Sequence, residues 1–266
     1  MDRLIDCIQR RDRARNQHNN KSIQPQPINN HPMNQEAKQM CPHCNDAGYL
    51  RVDVPFGHPD FGKPVPCHCH VDLIKQKKQQ KLIHASGLNT LERFRHASFH
   101  TYNPFLQGVH EAYTHAFEFA NQPTGWLALI GEYGCGKTHL AVSIAKKQLE
   151  AGKLVVFQIV PRLLDDLRAT FSPKVEQDYD ERFQQICETE LLILDDFGTQ
   201  NNTAWANDKL FQLLNYRYNA HAPTVITMNT TSWEKMEPRL YSRFQDKHLV
   251  HAIHMKQALD YRTHGE

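Results

Sequence analysis

The chain has 266 residues, 40% hydrophobic and 23% charged, with 31 Lys and Arg against 29 Asp and Glu. That length suits one sizeable domain plus an extension, and the near balance of charge gives no whole-chain signal for nucleic acid, although a local basic patch is compatible with it. A mean hydropathy of −0.64, the lack of any apolar run near the roughly 18–20 residues that span a bilayer and an N-terminus without a secretory apolar core point to an intracellular, cytoplasmic protein with no membrane partner.

Residues 1–39 read as a flexible tail. Leu4, Ile5 and Ile8 would share one side of a short helix over 1–15, among Arg10, Arg11, Arg13 and Arg15. That segment is either a frayed end or a helix that folds on a partner. The Asn-, Gln- and Pro-rich stretch 16–40 has too few large apolar groups to offset its ordering entropy and reads as a disordered linker.

Residues 40–86 read as a small metal module and a linker helix. Cys41, Cys44, Cys67 and Cys69 form C-x2-C-x22-C-x-C. In a reducing compartment a disulfide framework is disfavoured, whereas four thiolates at this spacing suit a closed, structural tetrahedral Zn²⁺ site. The C-x-C pair is tighter than usual, which leaves His43, His68 and His70 as substitute ligands or supporting groups. An iron–sulfur cluster is the alternative. Cys7, Cys135 and Cys187 are scattered and read as bystanders. The stretch 71–88 predicts a helix with Leu73, Ile74 and Leu82 on a thin apolar side, ended by Gly87.

Residues 87–266 change pattern. Short continuous apolar runs at 126–130, 154–160, 191–194, 224–228 and 249–253 alternate with helical stretches. Such runs suit strands covered on both faces, joined by right-handed crossovers. The expected fold is a three-layer α/β domain on a five-stranded parallel sheet.

The octapeptide Gly131, Glu132, Tyr133, Gly134, Cys135, Gly136, Lys137, Thr138 fits the phosphate-loop pattern, after a predicted strand and before a predicted helix. Its glycines let amide hydrogens converge on an anion, and the helix adds its positive end. Lys137 would meet the β- and γ-phosphates of ATP, and Thr138 would hold Mg²⁺. The strand at 191–194 runs into Asp195, expected on Mg²⁺, and Asp196, expected to orient the attacking water or else to cap a turn. Asn229 ends the next strand and could touch the γ-phosphate or that water, since ligands gather at the C-terminal ends of parallel strands.

These segments, together with "RLYSRF" at 239–244, occur in the order of an AAA+ ATPase. The chain most resembles the DnaC/DnaI-type helicase loaders and the IstB/TnsC-like ATPases of DNA transposition. The resemblance covers roughly residues 88–266 and the cysteine module. It implies that Arg243 is an arginine finger reaching a neighbouring subunit's ATP, with Arg239 assisting, and that Arg262 is a sensor arginine at the nucleotide. It implies an ATP-dependent homo-oligomer and slow, partner-stimulated hydrolysis, because Asp196 stands where many relatives have Glu. The helix expected at 160–171 lies where initiator ATPases track single-stranded DNA. Arg162 and Arg168 are its candidate phosphate contacts, although Asp165 and Asp166 weigh against a strongly basic groove. The implied partner is a replicative hexameric helicase with single-stranded DNA. The alternatives are a transposase, a nucleotide-gated binding protein with negligible turnover, and, more distantly, a small-molecule kinase.

Overall fold

The computed structural model describes residues 41–51, 55–58, 61–169 and 176–261. The expected tail helix, its linker and Arg262 lie outside the described residues. Among them the chain divides between Gln80 and Lys81 into two units. In the smaller, β1 (Tyr49–Arg51) pairs antiparallel with β2 (Pro64–Pro66), Leu50 opposite Val65. Helix α1 (His68–Ser86) follows and starts within the C-x-C pair, three residues earlier than the pattern predicts. Its thin apolar side is not continuous: Leu73 and Ile74 are exposed, and only Leu82 is buried. Gly87 ends the helix with a φ of 81°, the left-handed conformation that glycine adopts most readily.

In the larger unit the five apolar runs are the five strands. They are β3 (Trp126–Gly131), β4 (Val155–Ile159), β5 (Leu191–Phe197), β6 (Thr224–Met228) and β7 (Val250–Met255). All pair parallel, in the order β4-β5-β6-β3-β7. Side chains alternate between the faces of a strand, so each run feeds two cores. Trp126, Ala128, Ile130, Leu192, Leu194 and Ile226 point to one face. There they meet α4 (Val160–Ala169), α5 (Glu176–Glu188), α6 (Ala204–Asn219) and α8 (Pro238–Phe244). Leu127, Leu129, Val155, Ile193 and Val225 are buried on the other face. That face is covered by α3 (Lys137–Glu150), which packs in turn on α2 (His110–Asn121). The short α7 (Thr230–Glu234) completes the helices.

Two details depart from the sequence reading. Two helices, α4 and α5, lie between β4 and β5 where the pattern suggested one. And β5 runs on past its apolar residues to Phe197 through an irregularity between Leu194 and Phe197, which puts Asp195 and Asp196 inside the strand rather than after it.

The edge of the sheet where the strands begin is tied by a fully buried Arg217 from α6. Its Nε donates to Thr224 Oγ1 at 2.9 Å, its Nη1 to the carbonyls of Cys187 (2.8 Å) and Thr189 (3.0 Å), and its Nη2 to the carbonyl of Pro223. Burial lowers its pKa to about 10. No carboxylate appears among these partners, so the guanidinium joins the end of α5 to the starts of β5 and β6 through neutral acceptors. Arg217→Met should strand the Cys187 and Thr189 carbonyls without donors and cost about 3 kcal/mol, read as a lower urea midpoint at unchanged slope.

Candidate functional site

Strands β5 and β6 and the helix that follows β3 bring polar side chains to one place. Immediately after β3 the chain curls through Tyr133 and Gly134 into α3. Gly136 has a φ of 92°, and a Cβ there would also strike the Tyr102 ring, so both backbone and neighbour require glycine. Tyr102 is itself buried, and its hydroxyl donates to the Cys135 carbonyl at 3.4 Å. Lys137 is nearly buried, and its Nζ donates to the carbonyls of Gly131 (2.9 Å) and Glu132 (2.7 Å). The loop, the ammonium and the first turn of the 14-residue α3 form an anion-binding corner.

Beside it, Thr138 Oγ1 donates to Asp195 Oδ1 at 2.9 Å. Thr227 Oγ1, from β6, donates to the same oxygen at 2.6 Å and accepts the Asp196 amide at 3.0 Å. Asp195 is 3% exposed. Burial pushes its pKa up to about 6, helped by the neighbouring Asp196 charge and opposed by the Thr227 and Thr138 hydrogen bonds. Asp196 holds a φ of 56°, uncommon for a non-glycine residue, and this reversal of the strand turns its side chain out to the solvent-open cavity. Asn229 is buried, and although it precedes α7 its side chain does not cap that helix. A cavity of about 360 Å³ brings Gly134 through Thr138 together with Asp196, Asn229, Tyr102 and Tyr133. Its volume lies within the range of small-molecule sites.

Sequence reasoning missed four contributors. Thr227 was visible only as the polar residue in an otherwise apolar strand. Tyr102 carried no signal. Leu259 and Tyr261 line the cavity mouth because the C-terminal segment folds over the loop: the Tyr261 amide donates to the Gly134 carbonyl at 3.1 Å, and the Asp260 carboxylate lies where a Gly134 Cβ would be.

In the smaller unit the four predicted cysteines converge. Their sulfurs all lie within 4.8 Å of one another, with Cys41 to Cys67 at 3.8 Å and Cys44 to Cys69 at 3.4 Å. Tetrahedral Zn²⁺ with bonds of about 2.3 Å needs sulfurs about 3.8 Å apart, so the cluster fits that ion. None of the four is joined in a disulfide. The amide of His43, then that of Cys44, lowers the Cys41 pKa to about 6. The Gly48 amide donates to Cys44 Sγ at 3.4 Å. His68 Nδ1 lies 3.5 Å from Cys67 Sγ and the His70 ring packs on Gly48, so these imidazoles stand beside the cluster.

Residues 73–262 match the family described as IstB-like ATP binding protein. The chain belongs to that family. It is 25% identical over 247 residues to the replicative helicase loader DnaI of Bacillus subtilis, covering 85% of this chain and 76% of DnaI. It is 34% identical over 110 residues to an ATP-binding protein of insertion sequence IS21 from Pseudomonas aeruginosa, covering 41% and 40% of the two chains. The crystal structure of the DnaC helicase loader superposes with a TM-score of 0.55 at 21% identity, covering 62% of this chain and 99% of that one, and shows the shared fold. The α/β expectation and the AAA+ loader resemblance are thereby met.

In this IstB-like protein Arg239 and Arg243 do not line the nucleotide cavity. Both sit on α8, where Arg239 meets Glu237 and Arg243 meets Asn215 of α6. Arg162 is half-buried. Arg168 stacks over Trp205 at 4.9 Å, and Asp166 pairs with Arg182 at 3.6 Å.

Because the folded state disfavours ionised Asp195, the stability this group contributes is complete below about pH 4 and is lost as pH rises through about 6. Asp195→Asn imitates the neutral acid. In Mg²⁺-free buffer it should exceed the parent by up to about 3 kcal/mol at pH 8 and match it near pH 4, which denaturation across that range would read.

Proposed function

We propose that this IstB-like protein is an ATP-hydrolysing loader that places a replicative hexameric helicase on single-stranded DNA. The observation that carries this reading is the convergence of Lys137, Thr138, Asp196 and Asn229 at one cavity, with Asp195 hydrogen-bonded to Thr138 behind it. Lys137 and the loop amides hold the β- and γ-phosphates. Asp196, turned toward the cavity by its backbone, accepts a proton from the water that attacks the γ-phosphorus, while Asn229 orients that water. The hard oxygens of Thr138 and Asp195 fit Mg²⁺, which when bound neutralises charge on the phosphates. Arg243, outside its own cavity, acts on the ATP of a second copy.

The preference for a loader over a transposition ATPase rests on the reach of the similarity. A match covering 85% of this chain leaves about 40 residues outside it, so the DnaI alignment runs through the cysteine module, whereas the IS21 alignment covers 41%. The module has few apolar residues to bury, and Cys41, Cys44, Cys67 and Cys69 hold Zn²⁺ as the fastener of its fold.

Lys137→Ala should abolish nucleotide binding, and Asp196→Asn should keep binding while lowering steady-state hydrolysis by about a hundredfold or more. If Asp196→Asn hydrolyses ATP as the parent does, its role as base is wrong. The partner is checked by capturing the host's replicative helicase on the full chain with and without ATP. Failure to retain helicase in either state, with retention of a transposase, would make the protein a transposition ATPase. Elemental analysis of freshly purified protein should give one zinc per chain, lost in Cys67→Ser. Iron with sulfide would replace zinc by a cluster.

A further inference from the structure

The guanidinium of Arg243 is held in a way that differs from the exposed cations around it. Its Nε donates to Asn215 Oδ1 at 3.2 Å, its Nη2 donates to the same oxygen, and its Nη1 donates to the Arg239 carbonyl at 2.8 Å. The group lies 4.6 Å from the centroid of the Phe211 ring and 5.6 Å from that of Tyr218. Phe211 is shared, since the Arg239 guanidinium is also 4.6 Å from it. Every one of these partners is neutral. The nearby acids are engaged elsewhere: Glu237 with Arg239 Nε, and Asp246 with the Tyr218 hydroxyl at 2.7 Å and the His248 amide at 3.0 Å. Arg243 is thus fixed in direction by an amide oxygen and two aromatic faces, half-exposed and with no carboxylate bonded to it among the described residues.

We propose that Asn215, with Phe211 beneath it, is the positioning residue of the finger, orienting Arg243 toward the triphosphate bound by a second copy of this chain without neutralising it. The inference rests on the trans-acting role of Arg243 given above. The chemistry explains why an amide stands at 215. Asn and Asp have the same shape, but a carboxylate would hold the guanidinium as an ion pair, opposite charge against charge, which an amide oxygen cannot do. A phosphate would then have to compete with it. An amide aims the cation and releases its charge.

The test uses full-length protomers mixed in pairs. One carries Lys137→Ala, with no nucleotide of its own but an intact finger. The other carries Arg243→Ala, with an intact nucleotide site but no finger. Each alone should be nearly inactive, and the mixture should recover hydrolysis at the sites that an intact finger faces. Asn215→Asp placed on the Lys137→Ala protomer should cut the recovered rate by about tenfold or more. On the Arg243→Ala protomer the same change should leave the rate within about twofold. Asn215→Ala on the finger protomer should fall between the parent and Asp, an order that loss of packing alone would not give, because Asp keeps the shape and Ala does not. Nucleotide affinity of each protomer, read with a fluorescent ATP analogue, reports that the fold persists. No recovery with Asn215 intact would overturn the trans-acting finger and this inference with it. Recovery indifferent to which protomer carries Asn215→Asp, or Ala worse than Asp, would leave the finger standing and overturn the positioning role alone.

Discussion

The hydrogen bonds that converge on Asp195 hold the nucleotide site together. One carboxylate oxygen takes hydroxyl protons from Thr138, at the start of α3, and from Thr227, in β6. Three elements that are far apart in sequence are fixed to one atom pair. The same Thr227 oxygen accepts the Asp196 amide, which closes the strand irregularity and sets the positive φ that turns Asp196 outward. A buried carboxylate satisfied only by hydroxyls is costly to ionise, so the bridge is stable as hydrogen bonding yet receptive to a cation. The reversal at Asp196 is tied to that geometry through Thr227.

The parallel sheet explains why the polar groups collect on one side. All five strands point the same way, so their C-terminal ends share an edge, and each chain segment leaving that edge is free of ladder hydrogen bonds. The opposite edge has no such demand. There a single buried arginine, Arg217, gathers carbonyls from the end of α5 and the lead-in to β6. One edge is closed by a protonated group with neutral partners, and the other carries the polar groups that line the cavity.

Much of this was legible in the residues. Five continuous apolar runs became five strands because burial on both faces leaves no room for alternation, and the phosphate loop was read from spacing because Gly134 and Gly136 take left-handed backbone angles there. The cysteines were read as one cluster because thiolates at knuckle spacing have few other uses. What was not legible depends on distance in three dimensions. Thr227 looks like any β-former until Asp195 is beside it. Tyr102 matters only because its ring lies against Gly136, thirty-four positions away. Helix α5 was missed because its own pattern is weak. Ile186 and Cys187 bury only because α6 covers them. The exposed Leu73 and Ile74 show the reverse: helical spacing that predicts a buried side fails where nothing described covers it.

Charged groups in this fold are held in two ways. Exposed cations pair with acids, as Arg95 does with Glu92 and Lys153 with Glu190. Lys137, Asp195 and Arg243 instead rest on carbonyls, hydroxyls and an amide. A surface ion pair contributes little, roughly 0–1 kcal/mol, so pairing is not what stabilises the fold. Pairing inside a phosphate site would have a different consequence, because a captured charge must be released before it can act on a triphosphate, and that release adds to the barrier. Neutral partners orient a charge at a fraction of that cost and leave its field intact for the reaction. That is why an amide at position 215 is more informative than an acid would be. Exposure separates two cations that both rest on neutral partners: Arg217 is fully buried and joins elements of the fold, whereas Arg243 is half-exposed.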